Sequence, residues 1–209
     1  MTIKLRVVDN FLPKGEFFHI REHLIDKPDV PFNYYDGKVY GRHQDNGLSD
    51  HHMVHCSYHW NRFPKEPTGT PQLGLMLPII GRCRVLAVHR IKCNLELYSG
   101  PEHYESEYHK DWNCRQTFGS IDSTEGSPTM QAAIYYVNSN NGYTEFAESQ
   151  DGPAVEKVES VENRMVFFPA DTWHRGVSST NTKYRCVINF NWFTWSNYYD
   201  FDREYDTYY

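Results

Sequence analysis

The sequence predicts a mainly β domain of the jelly-roll kind, with a few flanking helices gathered toward its N-terminal side. Three observations carry that prediction. From Val85 onward the hydrophobic period is two, most clearly where Ile91, Cys93, Leu95 and Leu97 alternate with Arg90, Lys92, Asn94, Glu96 and Tyr98. Short apolar runs are separated by turn-rich segments such as Asn138-Ser139-Asn140-Asn141-Gly142 and Asp151-Gly152-Pro153. The composition is 16% aromatic with 11 histidines among 209 residues, which suits sheet surfaces and ligand pockets better than helical bundles.

Taken in order, Ile3 to Val8 reads as a short strand. Pro13 then stands where a first helical turn tolerates it, and Phe17, Ile20 and Leu24 at helical spacing predict a helix from about Lys14 to Leu24. Residues 26 to 70 are rich in Pro, Gly, Asp, Asn and His without a sustained period and read as irregular, with a helical turn around Asp50 to Trp60. A second short helix follows Pro71, through Leu73, Leu75, Met76, Ile79 and Ile80. Beyond the strand at 91–98, further strands are expected at Ala132 to Val137, Met165 to Phe168 and Tyr184 to Trp195. The last sets Cys186, Ile188, Phe190 and Trp192 opposite Arg185, Val187, Asn189 and Asn191. No repeat or linker divides the chain, so one domain is expected over 1–209: an N-terminal support over 1–84, a β core over 85–195 and a tyrosine-rich tail over 196–209.

Lys and Arg number 21 against 27 Asp and Glu, a formal charge of -6, which disfavours a nucleic-acid partner. A mean hydropathy of -0.71 and the lack of an apolar stretch approaching 18 residues exclude a membrane-spanning helix. The first twenty residues alternate polar and apolar rather than forming a signal sequence, so a cytoplasmic location is expected. Five widely spread cysteines without a Cys-x-x-Cys suggest structural thiols rather than a disulfide framework or a thiolate zinc site.

The segment Tyr108-His109-Lys110-Asp111-Trp112 contains a His-x-Asp, and on a strand residues two apart project from one face, where both could bind one cation. His174, just after an apolar strand, is the best-placed third ligand. Two imidazoles and a carboxylate make the facial triad of non-haem Fe(II) oxygenases, which leaves open coordination positions. Arg185 follows His174 by eleven residues on the polar face of an alternating strand, where its fork could take a distal carboxylate; Lys183 on the same face is its rival. A second His-x-Asp, His43-Gln44-Asp45, sits in a Gly- and Asn-rich stretch and reads as a solvated loop. His51, His55 and His59 would share one face of a helix, but no Glu completes a hydrolytic zinc motif, and they read as packed or surface histidines.

These blocks together resemble the Fe(II)- and 2-oxoglutarate-dependent dioxygenases, within them the prolyl hydroxylase-like branch. The resemblance rests on Leu97-Tyr98-Ser99-Gly100, the segment Tyr108 to Trp112, Ala133-Ile134-Tyr135-Tyr136-Val137-Asn138, and Gly142-Tyr143-Thr144-Glu145-Phe146. It closes with Phe167-Phe168-Pro169, His174-Arg175-Gly176-Val177 and Tyr184 to Phe190, in the family's order over residues 85 to 195. The short single-domain build is similar to compact microbial or phage-encoded members.

What the resemblance implies is a double-stranded β-helix with the metal inside. His109, Asp111 and His174 would ligate Fe(II). The 2-oxoglutarate cosubstrate would be held through its distal carboxylate by Arg185, with Tyr98 and Tyr136 as hydroxyl donors, and O2 would be the oxidant. The family's reaction releases succinate and carbon dioxide and hydroxylates an unactivated C–H bond. The carboxylate at Asp111 favours hydroxylation, since halogenating relatives usually carry a small residue there. The implied substrate is a prolyl or other peptidyl residue of a peptide or protein; a small metabolite or free amino acid is the alternative. A non-catalytic jelly-roll binding module is the reading from a different class, because fold does not dictate function.

Overall fold

The computed structural model describes residues 3–36, 51–59, 71–112 and 128–195. Among these, ten strands form two antiparallel sheets flanked by two helices: β1 Arg6–Val8, α1 Lys14–Arg21, β2 Asn33–Asp36, β3 His51–His59, α2 Pro71–Ile80, β4 Ala87–Leu97, β5 Pro128–Tyr136, β6 Tyr143–Ala147, β7 Ala154–Glu159, β8 Arg164–Pro169, β9 Trp173–Val177 and β10 Tyr184–Trp195. The larger sheet has the order β1-β8-β5-β10-β4-β3-β2 and the smaller one β7-β6-β9. The mainly β, helix-flanked fold class expected from the sequence is the one observed. No helix among the described residues is long and apolar enough to cross a membrane.

Period-two alternation sorts the large sheet into two faces with different work. One carries Ile91, Cys93, Tyr135, Phe167, Ile188 and Phe190 against Phe17 and Ile20 of α1 and Leu75, Met76 and Ile79 of α2. Burying such side chains is worth roughly 1.5–3 kcal/mol each, which holds the helical layer on the sheet. The other face looks toward the small sheet: Met130, Ile134, Tyr136, Val166, Phe168 and Val187 meet Phe146 of β6 and Val158 of β7. The chain therefore layers helices, large sheet, small sheet.

The helix expected at Lys14 to Leu24 is α1, whose continuation over Glu22–Asp26 is π-wound, with the Lys27 amide reaching back to the Glu22 carbonyl at 2.8 Å. The helix after Pro71 is α2, and the strand over Tyr184 to Trp195 is β10. Within 26–70, the described stretches 33–36 and 51–59 depart from the expectation of irregular structure with a helical turn. Asn33–Asp36 and His51–His59 are a paired antiparallel ladder on the edge of the large sheet, with Val54 opposite Asn33 and Asn94 opposite Val54. The histidine row at four-residue spacing suggested a helix because four is close to one helical turn, yet it is also an even number of strand steps. His52 and His55, an odd three residues apart, lie on opposite faces of the sheet, opposite Glu96 and Cys93 respectively, and the His55 Nδ1 is 2.8 Å from the Pro31 carbonyl. The second His-x-Asp at His43, Cys114, the stretch 113–127 and the tyrosine-rich tail 196–209 lie outside the described residues.

Candidate active site

The segment ahead of the His-x-Asp runs along the free side of β9, joined to it by isolated bridges between Glu105 and Val177 and between His109 and His174. The second bridge is closed by two main-chain bonds, His109 N to His174 O at 2.9 Å and His174 N to His109 O at 3.0 Å. Paired residues in such a register hold their side chains side by side, and the two imidazole rings lie 4.5 Å apart. Asp111 joins them: one donor atom from each of His109, Asp111 and His174 fits within 4.8 Å, the only such cluster among the described residues.

The polarity of each donor suits a cation. The His174 Nδ1 is 3.0 Å from the Thr172 carbonyl and the His109 Nδ1 is 3.3 Å from that of Glu107. A carbonyl accepts, so each Nδ1 carries the proton and each Nε2 keeps its lone pair for the cluster. The His174 Nε2 is buried with no hydrogen-bond partner, 3.9 Å from the Asp111 Oδ2. A buried acceptor left unmatched costs free energy that a bound cation returns. Burial, reinforced by neighbouring His174, pushes His109 down to about 4, so the ring is neutral and ready to ligate near neutral pH. Burial alone would raise the Asp111 carboxyl, but Arg90, His174 and His109, with a hydrogen bond from Asn191, outweigh it and hold it well below the usual carboxylate range. Arg90 Nη2 donates to Asp111 Oδ1 at 2.6 Å, Asn191 Nδ2 to Oδ2 at 3.0 Å, and Arg90 Nε to Asn191 Oδ1 at 2.9 Å. This clamp fixes the carboxylate's rotation. Two His and one carboxylate of this protonation fit a divalent iron.

Arg185 begins the inward row of β10, 2% exposed. Its Nε donates to Ser160 Oγ at 3.0 Å, Nη1 to Glu96 Oε1 at 3.2 Å, and Nη2 to Thr144 Oγ1 at 3.2 Å and the Tyr143 carbonyl at 3.3 Å. The Tyr136 hydroxyl donates to the same Thr144 Oγ1 at 2.8 Å, and its ring centroid is 5.8 Å from the guanidinium. Gly142 makes room for this group, since a Cβ there would lie 2.8 Å from the Arg185 Cδ and 2.8 Å from the Val177 carbonyl. The rival Lys183 is exposed and lines a surface cleft of about 390 Å3 with Arg21 and Glu162.

Of the residues singled out from the sequence, the structure brings His109, Asp111 and His174 into one cluster and Arg185 and Tyr136 into one buried pocket between the sheets. It does not bring in Tyr98, which stands 51% exposed at the end of β4, its backbone amide bonded to the Lys183 carbonyl. Strand alternation put Tyr98 on the inward row, but β4 ends at Leu97 and the row ends with it. Sequence reasoning missed Arg90 and Asn191 at the Asp111 carboxylate and Glu96, Thr144 and Ser160 at the guanidinium. For Arg90, Asn191 and Glu96 the two-residue steps of β4 and β10 give the shared face, on which Arg90, Lys92, Asn94 and Glu96 lie with Arg185, Asn189 and Asn191, but not the group each one meets.

No protein-family model matches the sequence, and no curated protein matches it. Solved structures do. An oxidoreductase of the 2OG-Fe(II) oxygenase family from Burkholderia pseudomallei aligns with a TM-score of 0.57 at 10% identity, over 90% of this chain and 85% of its own. A Trichoplax adhaerens prolyl hydroxylase in complex with a hypoxia inducible factor oxygen degradation domain peptide fragment gives 0.55 at 12% identity, over 97% and 89%. HygX from Streptomyces hygroscopicus, with nickel, 2-oxoglutarate and hygromycin B bound, gives 0.54 at 10% identity, over 92% and 84%. At these identities the likeness concerns the fold: this chain has the double-stranded β-helix fold of the Fe(II)/2-oxoglutarate oxygenases, and it carries a His-Asp-His cluster inside it.

Proposed function

We propose that the chain, as a single domain, is an Fe(II)- and 2-oxoglutarate-dependent oxygenase that hydroxylates an unactivated C–H bond of a prolyl or other peptidyl residue. The observation that carries the reading is the convergence of His109, Asp111 and His174 within 4.8 Å, with the His174 Nε2 buried and without a partner. These three would hold the iron, and Arg185, beside Tyr136, would hold the distal carboxylate of 2-oxoglutarate. Iron, cosubstrate and O2 supply the oxidising chemistry; the chain's share is binding, orientation and exclusion of water. Asp111 stays anionic through Arg90 and Asn191, burial keeps the His109 ring neutral, and the Thr172 and Glu107 carbonyls orient the two imidazoles through their Nδ1 atoms. Phe146 and Phe168 of the apolar cluster line the side of the site nearest His174, their rings 6.2 and 4.9 Å from its imidazole.

A second reading, a small polar metabolite as substrate, is favoured by the inward row of β4 and β10. The Oδ1 atoms of Asn94 and Asn189 are buried without hydrogen-bond partners, and Lys92 sits opposite Asn189. Such groups suit a substrate with polar groups of its own.

The first test is anaerobic titration of the purified protein with Fe(II) and then 2-oxoglutarate, reading the weak visible metal-to-ligand charge-transfer band. A band that needs both additions and disappears in His174→Ala supports the reading. No band in the wild type sinks it and leaves the non-catalytic module as the better account. Succinate release on proline-containing peptides against a panel of amino acids and polar metabolites then separates the two substrate readings.

A further inference from the structure

Arg185 is already paired. Its guanidinium meets a carboxylate of its own chain, Glu96, at 3.2 Å, and both side chains are under 10% exposed. The remaining contacts of the guanidinium are neutral: Ser160, Thr144 and the Tyr143 carbonyl. Glu96 and Arg185 are direct cross-strand partners in the β4–β10 ladder, so the pair is built into the register rather than reached by a wandering side chain. The glutamate carboxylate also reaches toward the small sheet, where a Cβ on Gly176 would lie 3.5 Å from the Glu96 Oε1 and 3.7 Å from the Arg185 Nη1. The two side chains thus meet in the space between the sheets, on the side of the guanidinium that faces β9.

Resting on the oxygenase reading above, we infer that Glu96 is a tethered competitor for the distal carboxylate of 2-oxoglutarate, which must displace it from Arg185 in order to bind. One guanidinium neutralises one carboxylate. A second carboxylate brought into the same buried pocket meets the first as a like charge in a medium of low dielectric, where repulsion is strong. The same face offers the displaced group somewhere to go. Lys92 lies four residues before Glu96 on the inward row of β4, and no carboxylate among the described residues pairs with it. Burial, and then Arg90, lower its affinity for a proton, while the Asp111 carboxylate and, more weakly, that of Glu96 work in the opposite direction, so Lys92 already feels the charge of Glu96. Glu96 exchanges Arg185 for Lys92 as the cosubstrate arrives, and the buried charges stay matched in both states.

The test is calorimetric titration of the Mn(II)-loaded, anaerobic protein, which needs no turnover. Two probes are compared: 2-oxoglutarate, and 2-oxobutyrate, which has the same 2-oxo acid head and lacks the distal carboxylate. Glu96→Gln removes the competing charge and keeps the shape; it is expected to bind 2-oxoglutarate about tenfold more tightly than the wild type and 2-oxobutyrate equally. Lys92→Met removes the alternative partner and is expected to weaken 2-oxoglutarate several-fold. General damage to the pocket would weaken binding in both variants, so the opposite signs separate competition from misfolding. If the wild type binds 2-oxoglutarate and Glu96→Gln binds it equally or more weakly, the competitor role is overturned while the oxygenase reading stands. If neither metal-loaded protein binds 2-oxoglutarate, the oxygenase reading itself fails.

Discussion

Asn191 shows how much of this cluster depends on residues outside the three that converge on it. Its amide donates to one oxygen of Asp111 and accepts from Arg90, which holds the other oxygen. Partners of this kind orient a ligand, and their loss typically costs 10- to 100-fold in metal affinity. Asn191→Ala is expected to weaken Fe(II) or Mn(II) binding by about that factor with little change in the folded structure, read by metal titration; unchanged affinity would show the clamp to be incidental. The three clustered residues were legible as a His-x-Asp and a later His, although His109 is held by an isolated bridge to His174 rather than by the strand that the spacing suggests, and Arg185 because it opens an alternating run. Arg90 and Asn191 were not, since nothing local marks a polar strand residue as aimed at a carboxylate contributed by another segment.

Protonation at this scale has a direction. An imidazole in an unfolded chain titrates near 6.5, whereas burial, and then His174, hold His109 down to about 4 in the fold. A depressed folded value means that the native state favours the neutral ring. Its contribution is complete above about pH 6.5 and is lost as pH falls toward 4, with a span on the order of 3 kcal/mol. Asp111, also depressed, adds its own loss only at lower pH, as its unfolded carboxyl begins to protonate near 4. The melting temperature of the metal-free protein should therefore fall between pH 6.5 and 4, and His109→Gln should flatten that fall. Parallel profiles for the two proteins would exclude His109 as its source.

At the scale of elements, Asn163 fastens the N-terminal segment to the paired strands β5 and β8. It sits at φ 60°, a left-handed conformation that asparagine tolerates better than most residues. Its side chain accepts from the Leu12 amide at 2.9 Å and the Tyr135 hydroxyl at 2.8 Å, and donates to the Leu12 carbonyl at 2.8 Å. Asn163→Ala strands these buried groups and is expected to cost roughly 2–4 kcal/mol in denaturant unfolding, while Tyr135→Phe costs about 1. A loss below 1 kcal/mol for the alanine variant would show that water replaces the amide.

Elements were legible from the sequence in proportion to their burial. β5, β8 and β10 are buried almost throughout and read as apolar or alternating runs. β7 is exposed at all but one of its six positions, and β6 and β9 have only five residues each, so none offers a hydrophobic period long enough to recognise. β3 failed differently: its histidines disguise a strand, because partner strands on the sheet, not local preference, decide its conformation.

For the whole molecule, the helices of the N-terminal region are structural cover for the sheet that holds the site. Phe11, Leu12, Phe17, Ile20, Leu24 and Ile25 are all buried against its outer face. At roughly 1.5–3 kcal/mol each their combined removal is comparable to the whole margin of about 5–15 kcal/mol that ordinary domains possess. Deletion through Val30 is expected to give no soluble, cooperatively melting protein; a soluble product with a sharp melt would show the sheet to be self-sufficient. The middle strand of the seven, β10, is also the last strand among the described residues. While the chain is being made, β4 and β5 must each wait with an exposed edge that only β10 covers, one ending a β4-β3-β2 half and the other a β1-β8-β5 half. Until residues 184–195 leave the ribosome there are two half-sheets prone to pair with neighbours, so aggregation during synthesis, rather than melting of the finished protein, is where this topology is most vulnerable.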